Sequence, residues 1–186
     1  QFHLSLQSGC GETLRRMNRH YTPEDYEKVV IRLRAAFPNC AVTTDVMVGF
    51  PGETEEEFEE SLAFVNRIGF AKVHTFAYSP RPGTVAAGLP GQVPKEEKER
   101  RSRRMIAETA AHRAAFLTSQ AGRKEPVLFE QEAASGVWEG YTPNYTPVRV
   151  CSGTALNGRI LPVRLTGSYG DWCVGRLAEP QEEEET

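Results

Sequence analysis

The sequence predicts a mixed α/β chain in two parts: a parallel α/β layer, open or closed into a barrel, then a small all-β barrel. Three observations predict it. Up to about residue 121, segments with period-two apolar alternation take turns with stretches of helical periodicity, the pattern of βαβ units around a parallel sheet. From residue 122 the texture changes to short β-rich runs divided by Gly, Pro and Asn, as in a small closed barrel. Between them a charged segment reads as a helix over residues 95–120. A chain of 186 residues with 39% hydrophobic content can bury one ordinary domain, or most of one plus a small module.

The elements follow in order. Phe2, Leu4 and Leu6 alternate with His3, Ser5 and Gln7, which predicts a strand at the start. The chain thus opens inside a strand without a start signal, and upstream sequence is expected. After a turn at Ser8–Gly9–Cys10–Gly11 and a short amphipathic segment to Met17, Thr22-Pro23-Glu24-Asp25 offers an N-cap, a proline at the first helical position and carboxylates for the helix dipole. That helix runs to about Phe37, and a second strand is expected over 41–50. Pro51-Gly52-Glu53 breaks it, and Thr54 with Glu57 predicts a capping box for a helix whose apolar stripe is Phe58, Leu62, Val65 and Ile68, ended by Gly69. A third strand over 72–79 leads into a long Pro- and Gly-rich loop. In the second part, strands are expected over 127–132, 137–141, 148–150, 160–165 and 172–177, and this domain runs from 122 to 178. Residues 179–186 form an acidic block, with Glu182 to Glu185 in a row, expected to be disordered.

The net charge of −3 gives no global argument for nucleic-acid binding, so any such contact has to come from local patches. No apolar run approaches the roughly 20 residues of a membrane span, and a cytoplasmic location is the default expectation. Cys10, Cys40, Cys151 and Cys173 lie far apart, without CxxC, CxxxCxxC or zinc-site spacing; separate reduced thiols are expected, and no metal site from this chain alone.

Polar residues in the strands stand out. Gln7 shares a face with His3 and Ser5; Asp45 lies mid-strand among Thr43, Thr44 and Met47; His74 shares a face with Phe76 and Tyr78. Both faces of a parallel α/β sheet are usually apolar, so an amide and a carboxylate there ask for a reason. One such residue would satisfy loop backbone; two on neighbouring strands near the ends where α/β ligands bind point to a site. The turn Gly49-Phe50-Pro51-Gly52-Glu53-Thr54 joins a strand to a helix start, which suits a ligand at the helix N-terminus and equally suits a tight capped turn. Lys95, Lys98, Arg100, Arg101, Arg103 and Arg104, interleaved with Glu96, Glu97 and Glu99, read as a solvated helix face with i,i+4 pairs.

Together these motifs resemble a known family. His3 to Gly9 with Leu14 to Arg19, then Thr43 to Thr54, then Tyr78 to Thr84, are similar in order and spacing to the radical S-adenosylmethionine (SAM) methylthiotransferases. Gly140-Tyr141-Thr142-Pro143-Asn144-Tyr145 resembles the branch that acts on threonylcarbamoyladenosine of tRNA near the anticodon. The resemblance implies a partial radical SAM (βα) barrel and a TRAM domain, a small RNA-binding β-barrel. It implies SAM as cofactor, with Gln7 and Asp45 on its ribose and Arg19 on its methionine carboxylate, chemistry that suits an amide, a carboxylate and a guanidinium. It also implies two [4Fe-4S] clusters in a full-length parent, whose cysteines are not among these residues, so that this stretch alone is expected to be inactive.

The implied partner is tRNA. Arg123, Lys124, Arg149 and Arg164, with Tyr141 and Tyr145, are the expected RNA contacts, cations for phosphates and aromatic faces for unstacked bases. Arg159, Arg176, Tyr169 and Trp172 belong to the same cation and aromatic set, and some of the aromatics are expected in the barrel core. Two rival readings remain: an RNA-binding protein whose first half is scaffold, and a methylthiotransferase for isopentenyladenosine tRNA or a ribosomal protein.

Overall fold

The computed structural model describes residues 1–178; the acidic block at 179–186 lies outside the described residues. The chain forms two compact units, Phe2–Arg113 and a second from Ala114 onward. The division lies within a continuous helix, whereas the sequence texture puts it near 121. The reason is Leu117, fully buried in the core of the second unit.

The first unit runs β1 (Phe2–His3), α1 (Gly11–Arg16), α2 (Pro23–Ala36), β2 (Val42–Val48), α3 (Glu55–Ile68), β3 (Lys72–Ala77), a short 3-10 turn (Val85–Gly88) and most of α4 (Lys95–Ser119). Its strands form an open parallel sheet in the order β1-β2-β3, which is the extent of the expected partial barrel among the described residues. One sheet face carries Val42, Val46 and Val48, which pack with Leu6, Tyr26, Val30, Phe58, Leu62, Val65 and Phe70 into a single core. The expected capping box of Thr54 with Glu57 forms, the expected N-cap Thr22 forms one as well, with Asp25, and α3 ends at Gly69 with φ 63°.

β1 is shorter than the alternation over 2–7 predicts. The Thr44 hydroxyl takes the place of ladder bonds there: it accepts from the Leu6 N–H at 3.0 Å and donates to the Leu4 carbonyl at 2.6 Å. Pairing resumes at Gln7, whose N–H donates to the Asp45 carbonyl and whose carbonyl accepts from Met47.

The charged segment of α4 is not simply a solvated face. The expected i,i+4 pairs form, such as Lys95–Glu99 and Arg104–Glu108. Arg101, however, is buried and reaches Glu53, while Arg100 and Arg104 pair with Glu55 and Glu59 of α3.

The second unit is a closed barrel in the order β4-β5-β6-β8-β7, made of β4 (Lys124–Ala134), β5 (Val137–Tyr141), β6 (Pro147–Cys151), β7 (Ile160–Tyr169) and β8 (Trp172–Leu177). All neighbours are antiparallel except β6 and β8. Val127, Phe129, Trp138, Val148, Val150, Val163 and Leu165 fill it, joined by Leu117 from α4. Gly140 is required at the β4–β5 contact: a Cβ there would lie 2.3 Å from the Leu128 carbonyl oxygen. Among the described residues no helix is long and apolar enough to cross a membrane.

Candidate ligand face and nucleic-acid interface

The other face of the parallel sheet is polar and partly open. Register places Asp45 of β2 beside His74 of β3, and Met47 beside Phe76, which is 53% exposed. The Asp45 Oδ2 atom takes hydrogen bonds from His3 Nε2 at 3.1 Å and Ser5 Oγ at 3.1 Å. The bond between His3 Nδ1 and the Thr43 hydroxyl, at 3.0 Å, is consistent with the tautomer that carries its proton on Nε2. The other carboxylate oxygen, Oδ1, accepts no hydrogen bond among the described residues, so Asp45 keeps acceptor capacity toward the open face. The His3 and His74 rings are 6.0 Å apart at their centroids. Burial, then Lys72, hold the His74 imidazole below its ordinary value of 6.5.

Gln7 adjoins Asp45 through the backbone and adopts φ 68°. For a residue with a Cβ this region costs on the order of 1–3 kcal/mol and clusters at functional sites. Its side-chain amide makes no hydrogen bond among the described residues and is available to a ligand. The structure does not bring the Arg19 side chain onto the Asp45 cluster: Arg19 is exposed, and its charge is felt at Tyr21, whose hydroxyl donates to the Ser5 and Leu6 carbonyls.

The Gly49–Thr54 turn is built around a buried carboxylate. Glu53 Oε1 accepts from the Gly49 N–H at 2.7 Å and from Arg101 Nη1 at 2.8 Å. This oxygen thus ties the turn's own N–H to the Arg101 guanidinium, and the turn forms a capped junction. Gly49 has φ 71°, and a Cβ would meet the Lys98 side chain at 2.2 Å. Sequence reasoning missed the Glu53–Arg101 pair because the two are far apart in the chain.

All four cysteines are free, and among the described residues no group of three or more His, Cys, Asp or Glu could hold a metal ion. These residues therefore do not fit an iron-sulfur cluster, whereas the open acceptors on Asp45 and Gln7 fit a ligand rich in hydroxyl groups.

On the barrel the expected RNA contacts separate. Arg149 is taken up within the protein: it pairs with Glu139 at 2.8 Å and lies 3.5 Å over the Trp172 ring. Arg123 and Lys124 are exposed and have no ion pair among the described residues. Arg164 is exposed, with one bond to the Gly122 carbonyl. Tyr141 and Tyr145 pack ring to ring at 5.3 Å, with Tyr145 60% exposed. The barrel's buried aromatics are Phe129 and Trp138 instead of the tyrosines.

Comparison with known proteins finds similarity over both parts of the chain. Residues 1–65 match the Radical SAM superfamily. This stretch is similar to part of a Radical SAM domain. It contains Gln7, Arg19 and Asp45. Over most of its length the chain is similar to curated proteins named tRNA-2-methylthio-N(6)-dimethylallyladenosine synthase. That of Oceanobacillus iheyensis is 42% identical over 88% of this chain and 32% of its own length. Those of Lachnoclostridium phytofermentans and Erythrobacter litoralis are 37% and 40% identical over 95% of this chain and 39% and 40% of theirs. The similarity is thus to radical SAM tRNA methylthiotransferases, and the chain spans about a third to two-fifths of these relatives. Their names carry a dimethylallyl group and not the threonylcarbamoyl group expected from Gly140 to Tyr145. A solved structure, the archaeal Methanocaldococcus infernus Elp3 with an N-terminal deletion, aligns over 89% of this chain and 51% of its own at 14% identity and TM-score 0.28, too low to carry an argument.

Proposed function

We propose that this chain is part of a radical SAM transferase that adds a methylthio group to C2 of an N6-modified adenosine in tRNA. The observation that carries the reading is the open sheet face in the segment similar to Radical SAM proteins, where Asp45 Oδ1 and the Gln7 amide lie side by side without a hydrogen bond among the described residues. There Gln7 and Asp45 would hold the SAM ribose and Arg19 its carboxylate. Bound SAM supplies the radical chemistry; the residues of this chain bind and orient it. Iron-sulfur chemistry falls to residues other than these.

The closed barrel serves as the RNA-docking module, of TRAM type, and a tRNA substrate places the protein in the cytoplasm. Its unpaired outward cations support that role. The N6 group has two readings. The names of the three relatives favour dimethylallyl. The Gly140–Tyr145 loop, by resemblance, favours threonylcarbamoyl.

In the full-length protein, with the fold intact by circular dichroism, Asp45→Ala is expected to weaken SAM binding by about tenfold or more and Gln7→Ala by about twofold to tenfold, since hydrogen bonds to a charged group contribute ~1.5–3 kcal/mol and neutral ones ~0.5–1.5 kcal/mol. Unchanged affinity in both variants overturns the assignment, and tRNA binding without any SAM binding favours the scaffold reading. Nucleoside mass spectrometry of tRNA from cells lacking the gene decides the substrate: the methylthio group disappears from one N6-modified adenosine and not the other.

A further inference from the structure

The outer surface of the barrel carries a row of cations that the fold does not neutralise. Lys124 of β4 lies directly opposite Arg164 of β7, and Arg164 directly opposite Arg176 of β8. All three are exposed, and among the described residues none has a carboxylate partner. Like charges in direct cross-strand register destabilise a sheet, so the row is costly without an anion.

Further along the same strands the surface turns apolar. Register runs from Lys124–Arg164 through Pro126–Pro162 to Leu128–Ile160, with Tyr141 beside Leu128 on β5. Alternation keeps positions 124, 126 and 128 on one face. Leu128, Tyr141, Pro143, Tyr145 and Ile160 line a groove of about 310 Å³, with Glu130 among its walls. Ile160 is 68% and Leu128 41% exposed. Pro126 also lines the groove and lies two positions from Lys124 along β4, about 7 Å at the rise of a strand.

We propose that this groove holds an unstacked base of single-stranded RNA, with neighbouring phosphates on Lys124, Arg164 and Arg176. The Tyr141 and Tyr145 rings supply the stacking faces, which accept any base. Glu130 repels phosphate from the groove itself, which orients the strand with its backbone toward the cation end. Arg149, held by Glu139 and Trp172, takes no part. The inference deepens the RNA-docking role of the barrel and rests on that reading only for the identity of the RNA.

The test is a titration of the full-length protein with a fluorescent single-stranded RNA heptamer across a range of salt. Tyr145→Asn removes the ring and suits the positive φ of 63° at this position. It is expected to weaken binding by about fivefold to a hundredfold with the salt slope unchanged, the usual effect of losing one stacked base. Arg164→Gln is expected to weaken binding and reduce the slope of log affinity against log salt by about 0.7, the value for one phosphate on a single strand. Tyr141→Leu, which keeps the groove apolar, serves as the second ring variant. Wild-type affinity in both ring variants, or an unchanged salt slope in Arg164→Gln, overturns the proposal. So does a groove whose variants impair only capture of a protein partner. SAM binding by these variants stays at the wild-type level, so failure here leaves the methylthiotransferase reading standing.

Discussion

His74 shows how one side chain records its surroundings. It sits on the polar sheet face next to Asp45 in register, with His3 across the same face and Lys72 on its own strand. Burial is the largest influence on it and Lys72 adds to it, so the folded protein binds its proton less readily than the unfolded chain does. A histidine depressed in this way contributes stability that is present above about pH 6.5 and is lost as the pH falls through the folded value. Denaturant midpoints at pH 7.5 and 5.5 should therefore show a smaller acid loss in His74→Gln than in the wild type. Equal losses in the two proteins would remove His74 from the account. Asp45 and Gln7, by contrast, could be singled out from the sequence, because an acid and an amide in parallel strands break the apolar pattern. Which carboxylate oxygen stays open could not, since that depends on His3 and Ser5 arriving from another strand.

At the scale of elements, the join between β2, α3 and α4 depends on one buried ion pair. The Glu53 side chain is 2% exposed and that of Arg101 6%, with Glu97 and Glu55 also on the guanidinium. Burial pushes the Glu53 carboxyl up, and the Gly49 N–H and Arg101 oppose that. Arg101→Met should cost about 3–5 kcal/mol in chemical denaturation, the usual result of leaving one buried charge alone. Because the lone carboxyl then titrates at a still higher pH, the deficit should shrink as the pH is lowered. Glu53→Gln added to Arg101→Met should recover part of the loss, and strict additivity of the two would argue against the pair. From sequence, the helix and its i,i+4 partners were legible. Its inward reach was not, because nothing local distinguishes Arg101 from Arg103.

For the molecule as a whole, each unit has its own apolar core, one around Phe58 and Val46 and one around Phe129 and Val163. Leu117 belongs to the second although it lies on α4, and the Cys173 thiol donates to its carbonyl at 3.4 Å. Leu117→Ala should destabilise the barrel by about 2–5 kcal/mol, as for other fully buried leucines. Both tryptophans of the chain, Trp138 and Trp172, lie in the barrel, so their fluorescence follows this unfolding directly. A midpoint unchanged from wild type would mean that the barrel closes without α4.

The sequence by itself determined the kind and order of these elements: caps, turn glycines and the change of period from helical to alternating are local features that act within a few residues. It also marked Gln7 and Asp45 as out of place in buried strands. Tertiary structure decided where β1 stops, since the Thr44 hydroxyl that interrupts it comes from the neighbouring strand. It also decided which cations are spent and which are free. Arg149 and Arg164 look alike in sequence, yet Glu139 lies opposite the first and only other cations lie opposite the second. Charge compensation across a sheet depends on strand register, and register is set by the packing of the whole barrel.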